Sequence, residues 1–217
     1  MQMGAMIMAR PVMLKDAIYQ SALSLFGQHG LTETSIRDIA RHAGVSEGSM
    51  YRHWPSKLAL GWDIFKTNLE ELAKEIRSRL ATATEPEQQV RSIIAAFYEL
   101  FDNDRNLFRF ILLNQHELWP RLGEANDDPV RLWDQFVYAH WTGKRAEEVS
   151  PKLIMSMTLG MILQPAISAV HSSIATPLSE QVDNVAHHVC GVLGLGSVRR
   201  RVVVRLPVEN PADQLHE

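Results

Sequence analysis

Arg37, Glu47, Ser49, Tyr51, Arg52, His53 and Lys57 crowd into one short stretch and share one competence. Their cations, hydroxyls and single carboxylate suit the phosphates and base edges of DNA. No other part of the chain offers so concentrated a chemistry. His187, His188 and Cys190 invite a metal reading, but adjacent histidines on a helix point about 100 degrees apart. Only Asp183 lies one turn away on the same face, so a closed site would need donors from elsewhere, and no metal is expected. Gly191, Gly194 and Gly196 follow a helix instead of a strand and make no dinucleotide fingerprint. Nucleophile elbow, phosphate loop and glutamate-histidine helix motif are absent, so neither enzymatic activity nor a cofactor is expected.

The elements that must hold the first group follow from spacing and caps. Leu14, Ile18, Ala22, Leu25 and Phe26 form one stripe of a helix that stops before Gly30. Thr34 and Ser35 offer an N-cap, with Asp38 as the reciprocal partner of Ser35, and Ile36, Ile39, Ala40 and Ala43 face inward on a short second helix. Gly44 breaks it. Ser46 caps a third helix that ends near Trp54, because Pro55 disfavours helical geometry in the residue before it. Helices joined by Ala43-Gly44-Val45 have the form of a helix-turn-helix, whose second member would lie in the major groove, held by Val45 and Met50 against Ile39 and Leu25. A fourth helix restarts after Ser56 and carries Leu58, Trp62, Phe65, Leu69, Leu72 and Ile76 to about Leu80. Five more helices are predicted over 87–102, 105–118, 128–141, 150–172 and 179–193. The chain is therefore all-α, with about nine helices; Val202 to Val204 allow at most a short extended piece.

The run from Ala17 to Leu60 resembles the DNA-binding domain of the TetR family of transcriptional repressors. Leu25-Phe26, Gly30, Thr34 to Ala40, Ala43 to Ser46, Tyr51 to Trp54 and Ser56-Lys57 carry the resemblance. It implies an N-terminal three-helix DNA-binding domain (12–56), a fourth helix leading into a larger ligand-binding and dimerisation domain (57–196), and flexible termini (1–11 and 197–217). Dimerisation would run through the last two helices, with Gly160, Ala166, Ala186 and Gly191 permitting close approach and Leu159, Leu163, Val182, Val189 and Leu193 buried between copies. By the same resemblance Ser35, Ile36 and Arg37 lie near backbone or base edges. Ser46, Glu47 and Gly48 sit where bases are read, and Ser49, Tyr51, Arg52, His53 and Lys57 contact DNA, mostly at phosphates. A basic arm before the first helix is thin, since only Arg10 and Lys15 are available. The first eleven residues read as a frayed leader, or as sequence ahead of a start at Met6 or Met8.

Lys plus Arg number 22 and Asp plus Glu 25, so a net charge of −3 says nothing about nucleic acid and any basic footprint must be local. Residues 1–60 carry +2 and the remainder −5, which favours DNA at the N-terminal end. One cysteine excludes an internal disulfide and suggests a reducing, cytoplasmic setting. No apolar run approaches the ~20 residues of a membrane span, the segment from Leu153 to Val170 being interrupted by Ser156, Thr158, Gln164, Pro165 and Ser168.

In the C-terminal part, large adaptable side chains surround a few polar ones, and a buried polar group needs a partner that a ligand can supply. Phe101, Phe108, Leu112, Gln115, His116, Trp119, Trp133, Met157, Met161 and Gln164 are the expected pocket residues. The expected function is a ligand-responsive regulator: a homodimeric repressor on a palindromic operator in double-stranded DNA, released by a small hydrophobic or amphipathic effector, with no membrane involved. The alternative is an all-helical enzyme or small-molecule carrier using the same pocket. The fourth helix is expected to be the lever, as the only long element that supports the reading domain and enters the ligand domain.

Overall fold

The computed structural model describes residues 5–123, 128–141, 149–170 and 177–195, by backbone alone at 5–13 and Leu113. The stretch 202–204 and the arginines at 199–201 lie outside these residues. Helix α1 (Ala5–Glu33) bends at Gly30, whose φ of 83° and ψ of 163° only glycine adopts freely. The Thr34 hydroxyl donates to the Gly30 carbonyl at 2.8 Å and closes that turn. Helices α2 (Ile36–His42) and α3 (Glu47–Tyr51) start at the expected caps, Ser35 accepting from the Asp38 amide and Ser46 from the Ser49 amide. Between them Gly44 takes φ 68°, the left-handed conformation that reverses the chain without a Cβ penalty.

Helix α4 (Lys57–Leu80) is capped by Ser56. Next come α5 (Pro86–Asn103) and α6 (Arg105–Leu118), with Asp104 ending one and capping the other through the Leu107 amide at 2.9 Å. A 3-10 turn (Trp119–Arg121) precedes α7 (Pro129–His140), whose buried Asp128 cap accepts from the Val130 and Arg131 amides. Helix α8 (Pro151–Val170) is followed by a second 3-10 turn (Leu178–Gln181) and α9 (Val182–Leu193). The described residues contain no strand. The last predicted helix is thus a 3-10 turn plus α9, tied to the end of α5 because the Asp102 carboxylate accepts from the Leu178 and Ser179 amides, both at 2.9 Å.

Helix α8 departs from the expectation that no stretch is long and apolar enough to span a membrane. It has 20 residues, and an 18-residue window within it reaches a mean hydropathy of 1.7. Its polar residues do not end the helix: the Thr158 hydroxyl donates to the Ile154 carbonyl at 2.7 Å, within the helix. Pro165 lacks an N–H and leaves the Met161 carbonyl without its ladder donor, while one residue on, Ile162 O accepts from the Tyr98 hydroxyl at 3.1 Å. Ile154, Ile162, Ala166 and Ala169 are buried within this chain, and Leu153 and Met157 are exposed.

Two apolar clusters organise the molecule. The first joins Ile18, Phe26, Ile39, Met50, Leu60, Phe65 and Leu69 of α1 to α4 with Leu107, Phe110, Leu118 and Leu122 from α6 and the turn after it. The second gathers the far half of α4 with α5, α7, α8 and α9. Between α4 and α5, the Arg79 guanidinium donates to both Glu99 oxygens at 2.9 and 2.6 Å. These hydrogen bonds hold the Glu99 carboxyl below its ordinary 4.5. The stabilisation is complete above that value and is lost as pH falls through the lower folded-state pKa. With 45% of its side chain exposed, Glu99 is worth no more than about 1 kcal/mol after solvent screening. Urea midpoints at pH 5 and pH 3 should therefore fall less on acidification in Glu99→Gln than in the parent; identical slopes would refute this.

Candidate DNA-reading head and effector cavity

The residues expected to meet DNA lie together on the open side of α2 and α3. Ser35, Arg37, Ser46, Glu47, Gly48, Tyr51, Arg52 and His53 are exposed, and Ile36, Ser49 and Lys57 are half-buried. Tyr51 keeps 52% of its surface accessible, a cost in apolar exposure that an internal structural role would not incur. Beneath them Met50 and Trp54 are buried; the Trp54 indole N–H donates to Asp63 at 2.8 Å, and the Lys15 ammonium sits 5.4 Å from its ring. The surface is pre-ordered by short bonds: Arg52 donates to the Ser49 hydroxyl at 2.9 Å, and the Ser35 hydroxyl donates to Asp38 at 2.5 Å. That hydroxyl is the main reason the Asp38 carboxyl lies below its usual range. Lys57 donates to the Thr32 carbonyl at 2.8 Å. An ammonium has three donors, so this bond fixes the start of α4 to the end of α1 and leaves two for another acceptor.

Behind the head lies an apolar cavity of about 180 Å³. Leu69 and Leu72 of α4, Phe97 and Leu100 of α5, Phe108, Ile111, Leu112 and Gln115 of α6, then Trp119, Pro129, Val130, Leu159 and Leu163 line it. Phe108, Leu112, Gln115 and Trp119 were expected there; the other expected pocket residues do not line it. Phe101 is fully buried, edge-on to Phe108 at 5.2 Å. Trp133 is sealed in the core with its indole N–H on Thr158 at 3.0 Å. His116, one residue past Gln115, is rotated to the exposed side of α6. Met157 and Gln164 lie on the outer face of α8, and Met161 is half-buried against the core. His187 and His188 are exposed and edge-to-face at 5.4 Å, while burial pushes the Cys190 thiol up to about 11. Among the described residues no three His, Cys, Asp or Glu side chains converge as metal ligands would.

Residues 18–60 match the model of the bacterial regulatory proteins, tetR family. Over 149 residues the chain is 31% identical to the putative mycofactocin biosynthesis transcriptional regulator MftR of Mycobacterium tuberculosis, covering 65% of this chain and 72% of that protein. The chain belongs to the TetR family. Another TetR-family relative, the transcriptional repressor KstR2 of Mycolicibacterium smegmatis, is 30% identical over 95 residues, 44% of this chain and 46% of that protein. The transcriptional activator FasR of the same species is matched over 47% of its length, so the chain spans about half of such curated relatives. The TetR fold is shared with solved structures. The fatty acid degradation regulator FadR from Bacillus halodurans aligns over 87% of this chain and 97% of its own, with TM-score 0.70 and 20% identity. FadR from Bacillus subtilis, solved in complex with stearoyl-CoA, aligns over 80% and 96% with TM-score 0.62 and 15% identity.

The position of α6 in this TetR-family chain follows from its sequence, but its hold on the head does not. Helix α6 packs along α1 more extensively than any other pair of helices meets, so α4 is not the only long element joining head and cavity. One face of α6 lines the cavity, and another carries Leu107, Phe110 and Leu118 into the head's own core. Phe110 stacks on Phe26 at 5.5 Å, and the backbone of Asn106 approaches so closely that a Cβ on Gly27 would lie 2.8 Å from its carbonyl oxygen. The available signal was a glycine inside an apolar helical stripe, which often marks close backbone approach. Helix α4 is tied to α1 separately: the Asn68 amide donates to the Tyr19 hydroxyl, whose pKa burial raises to about 12.

Proposed function

We propose that this chain is a ligand-responsive repressor that binds a near-palindromic operator as a homodimer and leaves it when a small, largely apolar effector fills the cavity. The observation that carries this reading is that α4 and α6, which wall the cavity, also brace the head that presents Tyr51, Arg52 and His53. The stearoyl-CoA held by the Bacillus subtilis FadR supports an apolar effector class, although about 180 Å³ is far smaller than so long a chain needs. We place the division between reading and effector domains near residue 56, and the DNA contacts at Ser35 to Arg37, Ser46 to His53 and Lys57.

The dimer face we propose differs in detail from the one expected. Leu159 and Leu163 face the cavity, and Val189 and Leu193 are buried within their own chain. The free stripe on α8 is Leu153, Met157, Gly160 and Gln164, and a Cβ at Gly160 or at Gly191 of α9 would meet nothing within 4 Å. A second copy covering this stripe would remove apolar surface from water and set two α3 helices against half-sites about 34 to 36 Å apart.

Gel-shift and footprinting with the DNA upstream of the chain's own gene test the reading, alongside sedimentation of the free protein. A dimer protecting a symmetric site is expected. Tyr51→Phe should weaken binding to all sequences by a similar factor, as loss of a phosphate contact does, whereas Glu47→Ala should change which sequence is preferred. A monomer at micromolar concentration, an asymmetric footprint or an unaltered preference in Glu47→Ala would each contradict the corresponding part.

A further inference from the structure

The cavity wall has a chemical asymmetry that the proposed function does not use. None of its described lining residues is charged, and among them, apart from the Trp119 indole N–H, a donor only, Gln115 supplies the one polar side chain. The preceding residue, Asn114, spends its amide on the Phe110 carbonyl at 2.7 Å, but the Gln115 amide bonds to no described residue. Among the described residues it is thus a donor and acceptor without a partner, on an otherwise apolar wall. We propose that Gln115 determines effector specificity. On the reading that the cavity is the effector site, the effector buries an uncharged apolar group of about benzene size bearing one hydroxyl.

Each part of that class follows from the wall. An apolar cavity of about 150 Å³ accepts benzene, which sets the scale for the 180 Å³ here. A pure hydrocarbon would cover the Gln115 amide and leave it unsatisfied, whereas a hydroxyl both donates to its oxygen and accepts from its nitrogen. A carboxylate or ammonium would lose its hydration and meet one neutral amide, with no counter-charge among the described lining residues.

Isothermal titration of the full chain with toluene, benzyl alcohol, benzoate and benzylammonium tests this directly. Benzyl alcohol should bind about fivefold more tightly than toluene, the worth of one net hydrogen bond. Both ions should bind about 100-fold or more weakly than the alcohol. Gln115→Leu, close to isosteric and free of polar atoms, should abolish the alcohol's advantage, while Trp119→Phe should keep it. Benzoate binding as well as benzyl alcohol, or a preference unchanged in Gln115→Leu, would overturn the proposal. Leu163→Trp, which fills the cavity, separates the two levels. If it eliminates binding while Gln115→Leu leaves the preference intact, only the role of Gln115 fails. If benzyl alcohol still binds Leu163→Trp, or if none of the four compounds binds the parent chain, the effector-site reading falls with it.

Discussion

Replacing Phe110 by alanine should cost about 3 to 5 kcal/mol of stability, the usual range for deleting a fully buried phenyl ring. The ring has no exposed surface, stacks on Phe26 at 5.5 Å and meets Phe65 edge-on at 6.5 Å. Against a net stability of about 5 to 15 kcal/mol for a typical domain, that is about a fifth or more of the total. The location of the damage matters more than its size. Phe110 lines no part of the cavity, so the substitution loosens α6 from α1 and α4 while leaving the cavity wall chemically intact. Urea unfolding should show a lower midpoint at similar slope, and operator affinity should fall at temperatures where the variant is still folded. A loss below about 1 kcal/mol would mean that the site collapses around the void and that α6 contributes little to the head.

Gly27→Ala should act mainly on the switch. The added carbon would sit 2.8 Å from Asn106 O and 3.0 Å from Asn106 Cα, both backbone atoms that cannot rotate aside. Overpacking of this kind costs about 1 to 3 kcal/mol. Alanine regains up to about 1 kcal/mol of helix propensity over glycine, so net stability should change by less than in Phe110→Ala. What must change is the spacing of α1 and α6. Allosteric coupling of about 1 to 3 kcal/mol corresponds to affinity changes of about 5- to 150-fold. Forcing the helices apart should therefore weaken operator binding by about tenfold or more and shrink the further weakening produced by a cavity ligand. Titrating operator with and without benzyl alcohol, in parent and variant, measures both effects. Parent-like affinity together with a parent-like response would exclude the α1–α6 joint from the switch.

The starts of α2, α3 and α4 were legible because their causes are local, whereas α1 begins at Ala5, within the segment read as a frayed leader, and runs past Gly30 to Glu33. Ser35, Ser46 and Ser56 bond amides three residues on, Pro55 interrupts the chain at a fixed place, and α6 occupies the predicted residues. The cavity was legible only along one helix. Phe108, Leu112, Gln115 and Trp119 recur at helical spacing, so finding one face of α6 located all four. Nothing local distinguished them from Phe101 or Trp133, whose burial depends on α5 against α6 and α7 against α8. Helix α8 was hardest to read. It is apolar nearly all round, so the pattern could not say that Leu159 and Leu163 face the cavity and Met157 the outside. The grip of α6 on α1 depends on contacts distant in sequence, for which Gly27 was the one local trace.

The participation of Leu107, Phe110, Leu118 and Leu122 in the N-terminal core sets a rule for building hybrid sensors from this protein. A graft cut after residue 56 would transplant a head with the Phe26 ring stripped of its stacking partner, exposing an oily seam that invites aggregation. The transferable unit is discontinuous: the first sixty-odd residues together with the segment 105–122. A chimera that keeps those two pieces from one parent, and exchanges only α5 and the helices after 128, preserves the native packing of α6 against the head.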